Sequence, residues 1–248
     1  MEKIMKKIII AHRGASAYAN ENTVESLKKA IASGADMIEF DVRRTKDNVF
    51  IVYHDEFIQD KSTRELTCKD IDRIGQNQGF DILTVEEVLK CTSGKIKLDV
   101  ELKEEGYEKE ITELVLKFFK EDEFVITSFN DSSLKVIKDN YPNIKVGLLL
   151  GKKKPKNIIV TILSELFSIK RCIKAKADFL VPHRKLLRFG FLKRAKRNDK
   201  PVFVWTVNDK KLIWKLLNDK RIDAIITDKP DLAVLLWGKI ASTTYRSA

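Results

Sequence analysis

The chain has 248 residues, of which 44% are hydrophobic, with 10 Gly and 5 Pro, and this composition excludes a largely disordered protein. The net charge is +11, and residues 152–200 hold 16 Lys or Arg against 3 Asp or Glu, a local charge of +13 that favours anionic partners. Three cysteines without a CxxC pair argue against a disulfide framework and a thiolate metal site. Since the sequence also has no signal peptide and no apolar run of 18 residues, we expect a cytoplasmic protein.

Short β-branched runs alternate with amphipathic helical stretches along the chain, a pattern typical of βα units around a parallel sheet. Without a linker or a break in composition, a closed barrel is favoured over an open sheet. We therefore predict a single (β/α)₈ TIM barrel over residues 1–248, with an additional strand at 49–54 and a short insertion after strand 2, at about 55–83. The eight predicted barrel strands are 7–12, 36–41, 96–103, 124–129, 145–150, 178–182, 201–207 and 223–228.

The first predicted helix has an apolar face and suitable capping residues at both ends. Val24 and Ile31 lie on one helical face, Asn22 or Thr23 can cap its start, and Gly34 can close its end. Such apolar faces indicate core packing.

Reactive side chains gather where the first strands end. In a barrel the carboxyl ends of the strands meet at one rim, where active sites lie. The sequence therefore predicts an active site on this rim. The strand-end residues are His12 and Arg13, Glu39 and Asp41, His54 and Asp55, and Glu101 and Lys103.

The carboxylates of this set predict a metal site. Glu39 and Asp41 are two residues apart on a strand, so their side chains point the same way, and Glu101 occupies a similar position on the next barrel strand. Three oxygen ligands without Cys or His favour a hard divalent cation, Mg²⁺ or Ca²⁺. The alternative is that these are salt-bridge carboxylates paired with Arg13 and Lys103.

The imidazole and cationic groups favour chemistry at phosphorus. Of three histidines, His12 and His54 converge with the acidic cluster and can transfer protons near neutral pH, whereas His183 has no such company and is expected to be structural. Arg13 and Lys103 can neutralise phosphate oxygens. The motifs of serine hydrolases, P-loop NTPases and dinucleotide-binding enzymes are absent, so a phosphodiester is the favoured substrate.

Across almost the whole chain the sequence resembles the glycerophosphodiester phosphodiesterase family. The segments that carry the resemblance are AHRGASAYANENT, IEFDV, VYHD, LDVELK, TSF, VFVWTVN and IDAIITDKP. It implies a (β/α)₈ barrel that hydrolyses glycerol phosphodiesters to glycerol phosphate and an alcohol. The implied roles are acid and base for His12 and His54, metal ligands for Glu39, Asp41 and Glu101, and phosphate contacts for Arg13 and Lys103.

Two further residues match the family's substrate site. Trp205 matches a tryptophan that would wall the glycerol or leaving group, although it could equally line the barrel. Asn22 lies in the matching ENT element and would contact substrate, although it could also be a helix cap. The chain departs from the family pattern at Asn20, where proline is usual, and at 61–63 in the insertion. The second departure leaves more than one leaving alcohol compatible with the sequence.

Two alternatives concern the basic part of the chain. The segment 152–197 combines lysines with apolar residues and could rest on an anionic membrane, which would favour a lysophospholipase D-type activity on membrane lysophospholipids. It could also be two barrel helices with solvated lysines. The second alternative is a catalytically silent anion- or nucleic-acid-binding barrel. Because the strand-end residues are intact, no nucleic acid partner is expected. The sequence does not indicate an oligomeric state.

Overall fold

Eight parallel strands form the wall of the structure, a computed structural model that describes residues 6–78, 81–151, 168–188 and 190–246. The strands in chain order are β1 (Ile8–His12), β2 (Met37–Arg44), β3 (Phe50–Val52), β4 (Phe57–Ile58), β5 (Lys61–Ser62), β6 (Lys97–Leu102), β7 (Phe124–Ser128), β8 (Lys145–Leu150), β9 (Phe179–Pro182), β10 (Phe203–Val204) and β11 (Ala224–Thr227).

The order of strands around the wall is β10, β11, β1, β2, β6, β7, β8, β9. Parallel bridges from Leu180 to Val202 and from His183 to Trp205 link β9 to the β10 region, so the barrel is nearly closed. This confirms the predicted (β/α)₈ fold. The seventh barrel strand is much shorter than the predicted 201–207, since only Phe203 and Val204 pair with β11 in full register.

Helices separate the strands and cover the outside of the barrel. Thr23 caps the first one and forms a capping box with Ser26, so of the two candidates Asn22 and Thr23 the threonine is the cap. Gly34, with φ of 76°, follows its end as predicted. The described helices are α1 (Val24–Ala32), α2 (Cys68–Gln78), α3 (Val85–Thr92), α4 (Glu108–Leu116), α5 (Asp131–Asn140), α6 (Ser168–Lys174), α7 (Phe191–Arg197), α8 (Lys210–Leu217) and α9 (Pro230–Arg246), with 3₁₀ turns at Thr63–Glu65 and Arg184–Leu187.

The barrel interior has an apolar floor. Ile10, Met37, Phe179 and Phe203 belong to this inner cluster, and Phe179 and Phe203 stack at a centroid distance of 4.3 Å. Side chains two apart on a strand share a face, so the residues that follow Met37 on β2 at the same spacing also point inward. The polar site therefore lies directly above this floor, at the carboxyl ends of the strands.

The additional strand and the insertion form an appendage on β2. Strand β3 pairs antiparallel with β2, with Val42 opposite Val52, and is shorter than the predicted 49–54. The β4–β5 hairpin, the 3₁₀ turn Thr63–Glu65 and α2 follow, around a small core that includes Ile58 and Ile71. Since β3 pairs with the carboxyl-terminal part of β2, the appendage starts at the mouth of the barrel.

The basic segment is described only in part. Residues 152–167, on which much of the proposed membrane contact at 152–197 depends, lie outside the described residues. Within the described ranges, no helix combines the length and the apolar character needed to cross a membrane. Arg184, Lys185 and Arg188 in the described part are exposed.

Candidate active site

Three carboxylates predicted to share a metal meet at the barrel mouth. Glu39, Asp41 and Glu101 are 3%, 0% and 7% exposed, and one oxygen from each lies within 4.8 Å of the others. Asp41 and Glu101 face each other directly in the register of β2 and β6. The two-residue spacing on a strand thus places these carboxylates together, as the alternation of side chains predicts.

Two cations partly neutralise the carboxylates. Lys103 Nζ lies 2.6 Å from Asp41 Oδ1 and 2.5 Å from Glu101 Oε1. Arg13 Nε lies 3.0 Å from Asp41 Oδ2, and Arg13 Nη1 donates to Glu21 at 2.8 Å. The ion pairs of the alternative interpretation are therefore present at Asp41 and Glu101.

Glu39 differs from its two neighbours because no described Lys or Arg lies within salt-bridge distance of it. Its nearest basic group among the described residues is the ring of His12, whose Nε2 lies 4.0 Å from Glu39 Oε2. Its Oε2 accepts a hydrogen bond from the backbone N of Arg13 at 3.0 Å, while its Oε1 is buried with no hydrogen-bond partner among the described residues. An unpartnered buried carboxylate oxygen is costly. A hard divalent cation fits this donor set, because it would satisfy that oxygen and offset the crowded charges.

Burial and the neighbouring charges also shift the pKa values of Glu39 and Asp41. Burial, followed by repulsion from Asp41 and Glu101, raises the pKa of Glu39 well above its ordinary value. Burial also acts on Asp41, but attraction to Lys103 and Arg13 outweighs it and lowers the pKa of that carboxyl. The cluster therefore holds an anionic Asp41 beside a Glu39 that ionises readily only when further positive charge is present.

His12 is oriented by a residue that the sequence reasoning did not single out. His12 Nδ1 lies 2.6 Å from Asp228 Oδ1, at the end of β11, which pairs with β1. Asn208 donates its amide to Asp228 Oδ2 and accepts from the backbone N of Asp228 at 2.9 Å. When Nδ1 carries the proton toward Asp228, Nε2 is left with a free lone pair on the side of Glu39. The rule that selected the strand ends could have selected Asp228, which directly follows β11.

His54 lies on the loop after β3. Its Nδ1 is 2.7 Å from Asp55 Oδ1, and the ring is 39% exposed. Burial of the ring and the nearby positive charge of Lys103 lower the pKa of His54. Its charge in turn acts on Asp41, so this second histidine also belongs to the electrostatic environment of the acidic cluster.

Asn22 faces the site because it is not the helix cap. Its Nδ2 donates to Asp41 Oδ2 at 3.2 Å, and its Oδ1 is buried with no hydrogen-bond partner among the described residues. The backbone of Asn22 has a φ of 60°, a left-handed conformation that asparagine adopts more readily than most residues.

Trp205 packs against the apolar cluster inside the barrel. Its Nε1 donates to the carbonyl of Val181 at 2.9 Å, and its ring packs edge-on against Phe129 at 5.8 Å and His183 at 5.1 Å. The predicted contact of Trp205 with substrate remains a prediction. His183 packs in this aromatic group and not in the acidic cluster.

Asp99 lies two residues before Glu101 on β6 and is fully buried. Thr127 Oγ1 donates to Asp99 Oδ1 at 2.8 Å, and Oδ2 has no hydrogen-bond partner among the described residues. Burial raises the pKa of Asp99 to about 7, against the opposing hydrogen bond from Thr127.

We expect this shift to make the metal-free protein less stable as the pH rises. A carboxyl whose folded pKa exceeds its unfolded value contributes stability below the unfolded pKa, near 3.8, that is lost as the pH rises through about 7. Urea unfolding with a chelator should show this loss, and Asp99→Asn should reduce it by roughly 1–3 kcal/mol at pH 8. Equal pH dependence in both proteins would contradict the assignment.

The chain is similar in sequence and in fold to known proteins. The sequence profile of the glycerophosphoryl diester phosphodiesterase family matches residues 12–232. YhdW of Bacillus subtilis is 31% identical over 244 residues, which cover 91% of this chain and 96% of that protein. A glycerophosphodiester phosphodiesterase of Caldanaerobacter subterraneus is 29% identical over 256 residues, 95% of this chain and 99% of the relative.

A solved structure is also similar to this chain over nearly its full length. The crystal structure of a glycerophosphodiester phosphodiesterase from Parabacteroides distasonis is 26% identical, with a TM-score of 0.80, and covers 96% of this chain and 100% of its own. The family profile spans most of the chain, and the similarity to these relatives extends over nearly the full length of each. The chain therefore belongs to the glycerophosphoryl diester phosphodiesterase family.

Proposed function

We propose that the chain hydrolyses glycerophosphodiesters to glycerol phosphate and an alcohol at the mouth of the barrel. One observation carries the proposal: three buried carboxylates, two cations and an oriented histidine converge at one rim, in a chain of this family. A catalytically silent barrel would have no use for a buried, unpartnered Glu39 oxygen beside two other carboxylates.

Glu39, Asp41 and Glu101 are the residues that would hold a divalent metal. When bound there, the metal supplies Lewis-acid polarisation of a phosphoryl oxygen and orients an oxygen nucleophile. Three carboxylate donors suit Mg²⁺ and Ca²⁺ alike, and they suit neither thiolate- nor imidazole-preferring ions.

Arg13 and Lys103 have donors left for the phosphate. The ammonium of Lys103 has three protons, and its two contacts to Asp41 and Glu101 leave one of them. Arg13 Nε lies in the ion pair with Asp41, and Arg13 Nη1 donates to Glu21, which leaves Nη2 for the substrate. These remaining donors would bind the nonbridging oxygens of the diester, and Asn22 would add a polar contact beside them.

His12 and His54 would transfer the protons. One histidine accepts the proton of the attacking oxygen as the new P–O bond forms, and the other donates a proton to the alcohol oxygen as the old P–O bond breaks. The hydrogen bond to Asp228 would favour the tautomer of His12 with Nδ1 protonated, and Trp205 would line the pocket around the organic part of the substrate.

The direct test is release of glycerol phosphate from glycerophosphocholine and glycerophosphoethanolamine, each with Mg²⁺, Ca²⁺ or chelator. We expect turnover of at least one diester with at least one of the two metals. Failure on every diester in both metals would rule out the proposed activity and leave the anion-binding alternative.

Asp228→Asn should lower kcat by about 100-fold while KM changes little, because an amide can no longer favour the tautomer with Nδ1 protonated. The matched control is Asp209→Asn, since Asp209 caps α8 through the N of Leu212 and asparagine can replace it as a cap. Steady-state kinetics on both variants measures the difference. Equal kcat in the two variants would refute the orienting role of Asp228.

The second candidate is lysophospholipase D-type activity at a membrane surface. Arg184, Lys185 and Arg188 are exposed, form no ion pair with a described acidic residue, and follow β9 at the mouth of the barrel, where the N of Arg184 donates to the carbonyl of Trp205 at 2.7 Å. We propose that these cations bring the mouth to an anionic bilayer.

Alanine at all three rim cations should reduce binding to vesicles containing phosphatidylglycerol by about tenfold or more. The matched control is alanine at Lys95, Lys117 and Lys120, which removes the same charge from exposed positions before β6 and β7, outside the 152–197 segment and at the end of the barrel opposite the mouth. Sedimentation with neutral and anionic vesicles measures binding to the membrane. Turnover of lysophosphatidylcholine measures the lysophospholipase D-type activity. If both triple variants bind vesicles equally, the rim is not the membrane contact.

A further inference from the structure

The loop that carries His54 is held by an arginine on the same strand as two of the metal-site carboxylates. Arg43 lies on β2 two residues beyond Asp41, on the same face, and is 8% exposed. Its Nε and Nη2 both donate to the backbone carbonyl of His54, at 3.1 and 2.9 Å. Two donors of one planar group therefore fix the carbonyl in both distance and direction.

A carboxylate on the next barrel loop fixes the guanidinium in turn. Arg43 Nη1 lies 2.8 Å from Glu104 Oε1, and Glu104, next to Lys103, has a side chain only 11% exposed. The other oxygen of Glu104 lies 3.2 Å from Arg64 Nε in the insertion. Arg43, Glu104 and Arg64 thus form a continuous chain of charges from the β2 strand to the appendage.

The ring of His54 has a weaker hold of its own. Its Nδ1 partner, Asp55, is the adjacent residue and is 71% exposed, and exposed ion pairs contribute little to stability. By contrast, the contacts of Arg43 are partly buried and charge-assisted, and charge-assisted hydrogen bonds are stronger than neutral ones. The position of the ring relative to the carboxylates therefore depends mainly on where its backbone is held.

We propose that Arg43 is a positioning residue for His54, with Glu104 as the group that orients it. This inference rests on the proposed function, because it assigns the residue that sets the geometry of one member of the proton-transfer pair. Lysine at this position keeps the positive charge but has no fork to hold the carbonyl and Glu104 at once. The role depends on shape as well as charge.

Arg43→Lys should lower kcat by roughly 10- to 100-fold with KM within about twofold of the parent value, because displacing a reacting group by about 1 Å is that costly. Arg44→Lys is the matched control: it is the same change on the next residue of β2, whose guanidinium lies over the Tyr107 ring at 5.5 Å. We expect its kcat to stay near the parent value. Glu104→Gln should give the Arg43→Lys pattern in weaker form, which keeps the test available if Arg43→Lys does not fold.

A double-mutant cycle separates positioning from a general structural effect. In a His54→Ala background Arg43→Lys should lower kcat no further, because the group it positions is gone. An equal loss in both backgrounds, or an unchanged kcat in the single variant, would overturn the proposal.

Ring signals in NMR spectra give a readout that needs no turnover. With three histidines in the chain, the His54 signals can be assigned from their loss in His54→Ala. They should shift or broaden in Arg43→Lys and remain in place in Arg44→Lys. Unperturbed His54 signals in Arg43→Lys would contradict the proposal, whereas perturbed signals in a protein without phosphodiesterase activity would refute only the proposed function.

Discussion

Glu39→Gln should reduce metal-dependent turnover by roughly 10³-fold, since removing an anionic ligand forfeits several kcal/mol of charge stabilisation by the metal. Glu39 is the sensitive member of the three carboxylates because, among the described residues, its Oε1 has neither a hydrogen-bond partner nor an ion-pair cation, whereas Asp41 Oδ1 lies 2.6 Å from Lys103 Nζ. The affinity for Mg²⁺ or Ca²⁺, measured by calorimetry, should fall in parallel. Chelation of the parent protein should have the same effect on turnover and be reversed by added metal.

The same change should make the metal-free protein increasingly more stable than the parent as the pH rises above the ordinary pKa of a glutamate, 4.5. The pKa of Glu39 is raised by burial and by repulsion from Asp41 and Glu101, so its ionisation costs folding free energy as the pH rises through its folded pKa. Urea unfolding at pH 5 and pH 8 measures this gain. Glu25→Gln on α1, which breaks only an exposed pair with Lys29, is the control for both experiments. Turnover that survives chelation would remove the metal from the proposed mechanism.

His12→Ala and His54→Ala should each lower kcat by about 10²- to 10⁴-fold, the usual contribution of a general acid or base. The double variant should lose less than the product of the two single losses, because the pair acts as a unit. His183→Ala, outside the acidic cluster, should lower kcat by less than tenfold, which is below the 10²-fold minimum expected of a proton-transfer group.

The pH profile should also assign the role of His54. Burial and Lys103 lower its pKa below the ordinary value of 6.5, so its limb of the profile should lie on the acidic side of that value. A rise of activity with pH that disappears in His54→Ala would identify a base, and a fall that disappears would identify an acid. A profile unchanged by His54→Ala would show that His54 does not transfer the proton.

The sequence predicted the barrel and the carboxylate cluster because both follow from local periodicity. Alternation along β2 places Glu39 and Asp41 on one face, and parallel pairing then brings Glu101 opposite Asp41. Strand ends were less predictable. The seventh barrel strand is only Phe203–Val204, because its length depends on pairing with β11 and not on its own apolar run.

Residues that act through distant or backbone contacts could not be identified in this way. Asn22 and Thr23 are both good caps, and only the structure shows that Thr23 takes the cap and Asn22 turns to Asp41. Arg43 holds a carbonyl, an acceptor that every residue possesses and no motif marks. Asp228 could be selected as a strand-end residue, but its contact with His12, at the other end of the chain, becomes evident only once closure of the barrel brings β11 beside β1.

That last contact has a consequence for how activity arises during protein synthesis. His12 and Asp228 are 216 positions apart, so the imidazole leaves the ribosome long before its carboxylate partner is made. Until the final β-strand docks beside the first, a nascent chain carries the three carboxylates and both histidines but lacks the group that sets the tautomer of one of them. A chain that ends before Asp228 should therefore lose at least as much kcat as the Asp228→Asn variant loses.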